Sequence, residues 1–313
     1  MTTPVTGTDQ NVIAVTGATG FIGTHLLSRL DADGFRSRAL IRRKRNRVVE
    51  VPASTEIVPG SLGDKQALTK LLQGAHTCIH LAGATTSINA SGFHSANVIG
   101  TYSLAACAAT AGVKHFICVS SQAARSPWIS NYAASKALSE ASLEAFKQDL
   151  RVSIIRPPAV IGSGDPMLKP MLDLIRSGWL PAPAEPQRGA RAFAVISVQD
   201  LVSQIMTSIE RPMEASHEFI APCSVASTNW TAVASATSEI LGRKVRLVRV
   251  PAAILKGIAL CADGVGQLSR RTFPLSLSKV REMLAVDWTY DHPIRDAMSL
   301  KEVFAACLED DRS

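Results

Sequence analysis

From residue 11 to about residue 156 the hydrophobic positions switch regularly between two rhythms. Short, nearly unbroken apolar runs at 11–16, 36–42, 55–59, 77–82, 114–120 and 151–156 predict β-strands. Between them, apolar residues recur three and four apart, which predicts helices over 21–31, 64–73, 94–111 and 130–148. In the first of these the recurring set is Phe21, Ile22, Leu26, Leu27 and Leu30. Strands that are apolar along their whole length are covered on both faces. Their alternation with helices predicts an α/β fold, a doubly wound parallel sheet with helices on both sides.

From Pro157-Pro158 onward the rhythm breaks. Residues 162–193 are rich in Gly and Pro, with one helix expected from Leu168 to Trp179. Helical periods return at 199–209, 228–241 and 251–268, and a strand is expected at 245–250. A chain of 313 residues is long for a single core. The expected division is a sheet domain over 1–160, completed by late sheet elements from about 190–210, and a smaller C-terminal lobe drawn mainly from 161–313. Residues 185–192, with Pro186, Gly189 and two arginines, are expected to form a mobile loop.

The first strand ends in Thr16-Gly17-Ala18-Thr19-Gly20-Phe21-Ile22-Gly23, with glycines three apart before a helix. Gly17 permits a tight turn, Gly20 lets backbone approach a pyrophosphate, and Gly23 lets helix and strand lie close. The helix N-terminus then offers free N–H groups and a partial positive charge to phosphates. A glycine triplet alone could be a plain βα turn, but here strand and helix flank it. The motif points to a dinucleotide.

Composition narrows the setting. Hydrophobic content of 46% and charged content of 19% belong to an ordinary globular chain. The six cysteines show neither a CxxC pair nor metal-ligand spacing, and read as reduced thiols. Residues 1–10 are polar and lack the features of a signal peptide. The apolar stretch Ala252 to Ala262 contains Lys256 and is too short to span a bilayer. A cytoplasmic protein without a membrane span is expected. The net charge of +7 owes much to Arg42-Arg43-Lys44-Arg45-Asn46-Arg47. No aromatic platform or nucleic-acid motif accompanies that run, so no nucleic-acid partner is expected.

Tyr132-Ala133-Ala134-Ser135-Lys136 opens the helix predicted over 130–148. Residues four apart share a helix face, and a neighbouring ammonium favours a phenolate. Tyr132 is therefore a candidate proton donor to, or acceptor from, a carbonyl/alcohol pair. The strand at 114–120 delivers Val119-Ser120-Ser121 to the edge where parallel sheets bind ligands, and a serine there can hold a substrate oxygen. His80-Leu81-Ala82-Gly83 reaches the same edge, with His80 read as structural. Asn97, a poor residue for a helix interior, is expected to serve a local polar network.

Taken in order, TGATGFIG at 16–23, HLAG at 80–83, NVIGT at 97–101, SSQAA at 120–124, YAASK at 132–136 and RPPAVIGSGD at 156–165 resemble the extended short-chain dehydrogenase/reductase family, also called the NAD-dependent epimerase/dehydratase family. AVISVQDL at 194–201 resembles the family's later strand-to-helix segment. The resemblance implies a Rossmann-type sheet and an NAD(P)-dependent enzyme. It implies Tyr132 as acid/base, Lys136 on the nicotinamide ribose, and Ser121, in preference to Ser120, on the reacting oxygen. It implies cofactor contacts from Gly17, Thr19, Gly20, Phe21, Ile22, Gly23, Leu62, Leu81, Ala82, Gly83 and Pro157, together with a small-molecule substrate. Relatives often dimerise through the helices at 94–111 and 130–148, so a homodimer is expected, with the alanines between 105 and 111 either packing there or facing the sheet.

Departures from the family pattern refine this. Arg42 and Arg43 stand where an acidic residue would hold the ribose. Arginine pairs with a 2′-phosphate that a carboxylate would repel, so NADP is expected in preference to NAD, with Arg42 the contact. Gly60-Ser61-Leu62 replaces Gly-Asp-Leu, leaving Ser61 or backbone to meet adenine; Asp64 comes three residues late. Ile161 stands where relatives often carry Tyr. The leading expectation is an NADP-dependent oxidoreductase exchanging hydride with a carbonyl/alcohol pair. The apolar segments 179–183 and 251–262 suit a hydrophobic or mixed substrate, or else belong to the core. One alternative is a nucleotide-sugar epimerase/dehydratase that retains NAD, with Arg191 resembling a family arginine that faces substrate diphosphate. A further alternative is a dinucleotide-binding sensor or assembly protein without turnover, which the presence of both Tyr132 and Lys136 disfavours.

Overall fold

The structure is a computed structural model that describes residues 12–42, 50–185, 191–211, 216–269, 273, 275–285 and 287–310. Arg43 and the rest of the basic run to Arg47 lie outside the described residues, as do residues 186–190 of the expected loop. The elements in order begin with β1 (Val12–Thr16), α1 (Phe21–Ala32), β2 (Ser37–Ile41), β3 (Thr55–Pro59), α2 (Lys65–Leu72) and β4 (Ala75–His80). A short turn of helix α3 (Ala90–Phe93), a π-helical turn (His94–Ile99) and α4 (Gly100–Thr110) then run as one rod into β5 (His115–Val119). A 3₁₀ turn (Gln122–Arg125), α5 (Asn131–Leu143), a second 3₁₀ turn (Glu144–Phe146), β6 (Arg151–Ile155) and β7 (Ala159–Ile161) follow. The remainder comprises α6 (Lys169–Arg176), β8 (Trp179–Pro183), β9 (Ala192–Ser197), α7 (Val198–Glu210), β10 (His217–Ile220), β11 (Val225–Thr228), α8 (Trp230–Leu241) and β12 (Arg246–Val250). Last come α9 (Ala252–Ser269), α10 (Leu277–Leu284), β13 (Asp287–Trp288) and α11 (Leu300–Asp310).

The main sheet has seven parallel strands in the order β10-β6-β5-β4-β1-β2-β3. Successive residues of each strand point to opposite faces, and the burial follows. Ala14, Cys78, Phe116, Cys118, Val152 and Ile154 face α2, α4 and α5. Ile13, Val15, Ile79, Ile117, Val119 and Ile155 face α1 and α7. The doubly wound α/β arrangement is the one the hydrophobic pattern implies. The seventh strand comes from β10 and not from the 190–210 segment. That segment supplies β9, which joins β7, β11 and β13 in a smaller sheet, and α7, which covers the main one. β10 is four residues with two polar side chains, too short and mixed to register as an apolar run. It is held in part by a polar row across three strands, in which His115 Nε2 meets Ser153 Oγ at 2.8 Å and Ser153 donates to Glu218 at 2.6 Å.

The C-terminal lobe has its own core of Ile161, Leu172, Ile175, Leu180, Val195, Val233, Val303 and Phe304. The helix expected from Leu168 to Trp179 stops at Arg176, because Gly178 turns with φ +91° and Trp179 opens β8. Leu180, Ala182 and Pro183 are buried there, while Trp179 and Pro181 face outward, so one face of the 179–183 strand is core. Ala105 and Ala108 are fully buried against the sheet, which settles the direction of those two alanines. None of the six cysteines is paired in a disulfide, and no described helix is long and apolar enough to cross a membrane.

Phe116, fully buried beside His80 at 6.0 Å between ring centroids, fills the centre of the α4/α5 layer. Phe116→Ala should destabilise the protein by about 3–5 kcal/mol, measured by urea denaturation.

Candidate active site

The β1–α1 turn is built by backbone closeness. Gly17 has φ +73°, and a Cβ there would lie 2.6 Å from Ala82 N and Leu81 C. A Cβ on Gly23 would lie 2.2 Å from Gly17 O, so helix and turn touch through backbone. Gly20 N donates to Gly17 O at 2.9 Å and closes the turn. No side chain caps α1 and no acid stands in its first turn, so its N-terminal dipole is left for an external anion. Thr19 and Gly20 are exposed there. Leu81 N donates to Thr16 O at 3.1 Å, which brings Leu81-Ala82-Gly83 alongside, and Gly83 is confined by Asn97 Oδ1. A glycine-lined cradle ending on an uncapped helix fits a dinucleotide pyrophosphate.

Along the same edge Arg42 is exposed just after β2, and Ser61 is exposed just after β3. Leu62 is half-buried and packs on Gly100, where a Cβ would lie 2.7 Å from Leu62 Cδ1. Asp64 caps α2 through Ala67 N at 3.0 Å. Phe21 and Ile22 are partly buried, and the Phe21 ring reaches Gly162. Pro157 is buried after β6, its carbonyl accepting from Gln122 N at 2.8 Å.

The catalytic candidates lie on the end of β5 and the first turns of α5. Ser120 is buried and donates to Glu140, which also holds Arg156 through a bidentate ion pair at 2.6 Å. Ser121 is half-buried, and its hydroxyl accepts a turn contact from Ala123 N at 3.2 Å. Ser130 caps α5 by accepting from Ala133 N at 2.9 Å. One turn into α5, the buried Lys136 donates to Val119 O at 3.0 Å. Tyr132 is half-buried, with its ring 6.1 Å from that of Phe93.

Behind this cluster lies a connected polar network. Asn97, on the π-helical turn, accepts from Ala84 N at 2.7 Å and donates to Ser135 Oγ at 2.9 Å. The extra residue of a π-turn re-aims the chain and gives Asn97 its inward position. His80 is bonded on both nitrogens, to Thr16 Oγ1 at 2.7 Å and Thr101 Oγ1 at 2.9 Å. Burial, aided by the Lys136 charge, pushes its imidazole down to about 3. Such a histidine stays neutral and structural.

A cavity of about 260 Å³ opens in front of Tyr132. Its walls include Ile88 and Phe93 on one side, and Ala262 and Gly266 of α9 with Lys279 of α10 on the other. Lys279 donates to Glu282 at 3.1 Å, and Ser130 donates to the same carboxylate at 2.6 Å. Arg191 does not face this cavity. It is buried, donates to Leu284 O and Ala184 O, and its backbone N–H meets Glu185 at 2.7 Å.

The sequence model of the NAD dependent epimerase/dehydratase family matches residues 13–217. The chain belongs to this family. The extended short-chain dehydrogenase/reductase members similar to it include "Ceramide reductase" of Caulobacter vibrioides, 35% identical over 281 residues that cover 90% of this chain and 86% of that one. "Sterol demethylase protein B" of Methylococcus capsulatus is 27% identical and covers 83% of each chain. Among solved structures, the Bordetella bronchiseptica enzyme WbmH in complex with NAD+ superposes with a TM-score of 0.72 at 16% identity, over 97% of this chain and 99% of that one. The protein is an NAD(P)-dependent enzyme of this family, and its cofactor is a dinucleotide.

Sequence reasoning left out the far wall. The segment Leu277–Leu284 is amphipathic, but eight residues after the helix expected over 251–268 are too short a period to stand out, and no element is expected there. Glu140 and Arg156 sit sixteen residues apart, and only the fold shows that they pair.

His80, and His115 whose burial lowers it to about 4, stay neutral in the fold while the unfolded chain protonates near 6.5. The unfolded state therefore binds more protons between these values, and stability falls as pH drops from about 6.5 to 4. Melting temperature should decline over that window. The decline should be shallower in His115→Gln than in the wild type.

Proposed function

We propose that the protein is an NADP(H)-dependent reductase of a ketone on a long-chain, lipid-like substrate, working in the reverse sense as an alcohol dehydrogenase. The observation that carries this reading is Tyr132 at the cavity wall, with Lys136 buried one turn behind it and tied to the end of β5, where Ser120 is already engaged by Glu140 and Ser121 follows. A dinucleotide in the β1–α1 cradle would be held by Gly17, Thr19, Gly20 and Gly23, and would supply the hydride to the carbonyl carbon. As the carbonyl oxygen gains charge, the Ser121 hydroxyl donates a hydrogen bond to it and the Tyr132 phenol transfers its proton to it. The phenolate left behind is stabilised by the Lys136 ammonium, which Val119 O holds in place. Tyr132 regains a proton from solvent before the next turnover.

Two features support a reductase in preference to a nucleotide-sugar epimerase or dehydratase. Arg191 is turned onto backbone carbonyls and not toward a substrate diphosphate. The relative at 35% identity is named a ceramide reductase, and ceramide is a long-chain lipid. The cavity carries Ile88, Phe93, Ala262, Phe273 and Leu277 among a majority of polar and charged side chains, which suits a lipid with a polar head. The exposed Arg42 after β2, with no acid beside it at the end of that strand, supports the 2′-phosphorylated cofactor.

Tyr132→Phe should lower turnover by about 10²–10⁴-fold with cofactor affinity nearly unchanged, whereas Lys136→Ala should weaken both. NADPH absorbance with long-chain keto substrates, beside fluorescence titration of the cofactor, reads the two effects separately. Near-normal turnover in Tyr132→Phe would remove the acid/base assignment, and NAD retained through purification would favour the epimerase reading. Arg42→Ala should weaken NADPH binding by about tenfold or more and leave NADH binding unchanged. Equal discrimination in both proteins would argue for a different phosphate contact.

A further inference from the structure

Helix α9 has two sides with different surroundings. Leu255 and Ala259 are buried against Val280 of α10, and Ala262, Asp263 and Gly266 line the cavity before Tyr132. The outer side carries Ile254, Ile258, Val265 and Leu268, exposed by 52%, 52%, 53% and 90%. Spaced four, seven and three residues apart, these fall on one stripe of the helix. Cys261, also exposed, fills the gap in the same row. A continuous apolar row left in water is unusual on a folded chain and marks an interaction surface.

Charge identifies the partner. Asp263 is the one acidic residue in α9, and its carboxylate is turned inward to accept from Leu277 N at 2.9 Å. The exposed charge on α9 itself is basic, Lys256, on a chain of net charge +7. Leu260, exposed by 64%, widens this apolar face toward Lys256 at its edge, and an apolar helical face with a cation at its rim and no exposed acid on α9 fits the surface of an anionic bilayer, lying in the interface. A single row on a convex helix offers on the order of a few hundred Å² of apolar surface, below the roughly 800 Å² per partner of a stable protein interface. No described helix can cross the membrane, so contact would be peripheral.

We propose that α9 docks the protein on an anionic lipid surface, with the substrate cavity on the inner side of the same helix. The inference rests on the lipid-reductase reading for its purpose. A long-chain ketone resident in the bilayer would then reach Tyr132 around α9 without its chain crossing water.

The test is sedimentation of the full chain with phosphatidylcholine vesicles, with and without phosphatidylglycerol, at physiological ionic strength. The wild type should pellet with the anionic vesicles and less with neutral ones. Ile258→Asp combined with Leu268→Asp should weaken binding by about tenfold or more, with melting temperature and NADPH affinity unchanged. Lys256→Glu should weaken it more mildly and remove part of its salt dependence. Wild-type protein that stays in the supernatant with anionic vesicles would overturn the proposal. So would undiminished binding by the double variant, or light scattering in which that variant turns a dimer into a monomer while vesicle binding is unchanged. Reduction of a water-soluble short-chain ketone needs no vesicle. Its absence in the wild type would count against the reductase reading and leave the docking result standing.

Discussion

The buried ammonium of Lys136 constrains the whole site. A charge removed from water must find a partner in the fold. Lys136 finds Val119 O, the last carbonyl of β5. That bond ties the middle of α5 to the edge of the sheet where ligands bind. It sets the rotation of α5, and so the direction in which Tyr132 points one turn earlier. Burial, and to a lesser degree the same charge, disfavours a proton on His80, which lets the imidazole serve as a neutral two-ended strut between Thr16 and Thr101. The strut in turn holds β1 near α4 at the point where the glycine turn begins.

What was legible in the sequence was whatever depends on local spacing. The glycines at 17, 20 and 23 and the Tyr132/Lys136 interval state their geometry directly, since each needs only a turn or a helix to be realised. The six apolar runs likewise announced six of the seven strands. β10 was not visible because its place is fixed by strand pairing with β6 and by Glu218 reaching Ser153, contacts across more than sixty residues. The helix expected from 94 to 111 begins earlier and contains a π-turn, which no apolar period reveals.

The candidate site divides in the same way. Two adjacent serines look alike in sequence, and only Glu140 on the neighbouring helix distinguishes them by engaging Ser120. Arg191 read as a diphosphate contact because its setting, Arg-Ala-Phe, is local. Its actual partners, Leu284 O and Ala184 O, include one from α10, an element the apolar pattern does not mark. The wall opposite Tyr132 comes from residues more than a hundred positions later. Substrate selectivity is therefore the part of the site least readable from motifs.

Glu282 joins these two halves. Its carboxylate receives Ser130, the residue that starts the tyrosine helix, and Lys279, which lines the cavity. The first turn of α5 and the cavity wall are thus fastened to one hinge pin. Movement of α10 must either carry the tyrosine helix with it or break a hydrogen bond to a largely buried carboxylate. In the proposed reaction, the wall that would meet the substrate and the tyrosine that would hand over the proton are mechanically in gear.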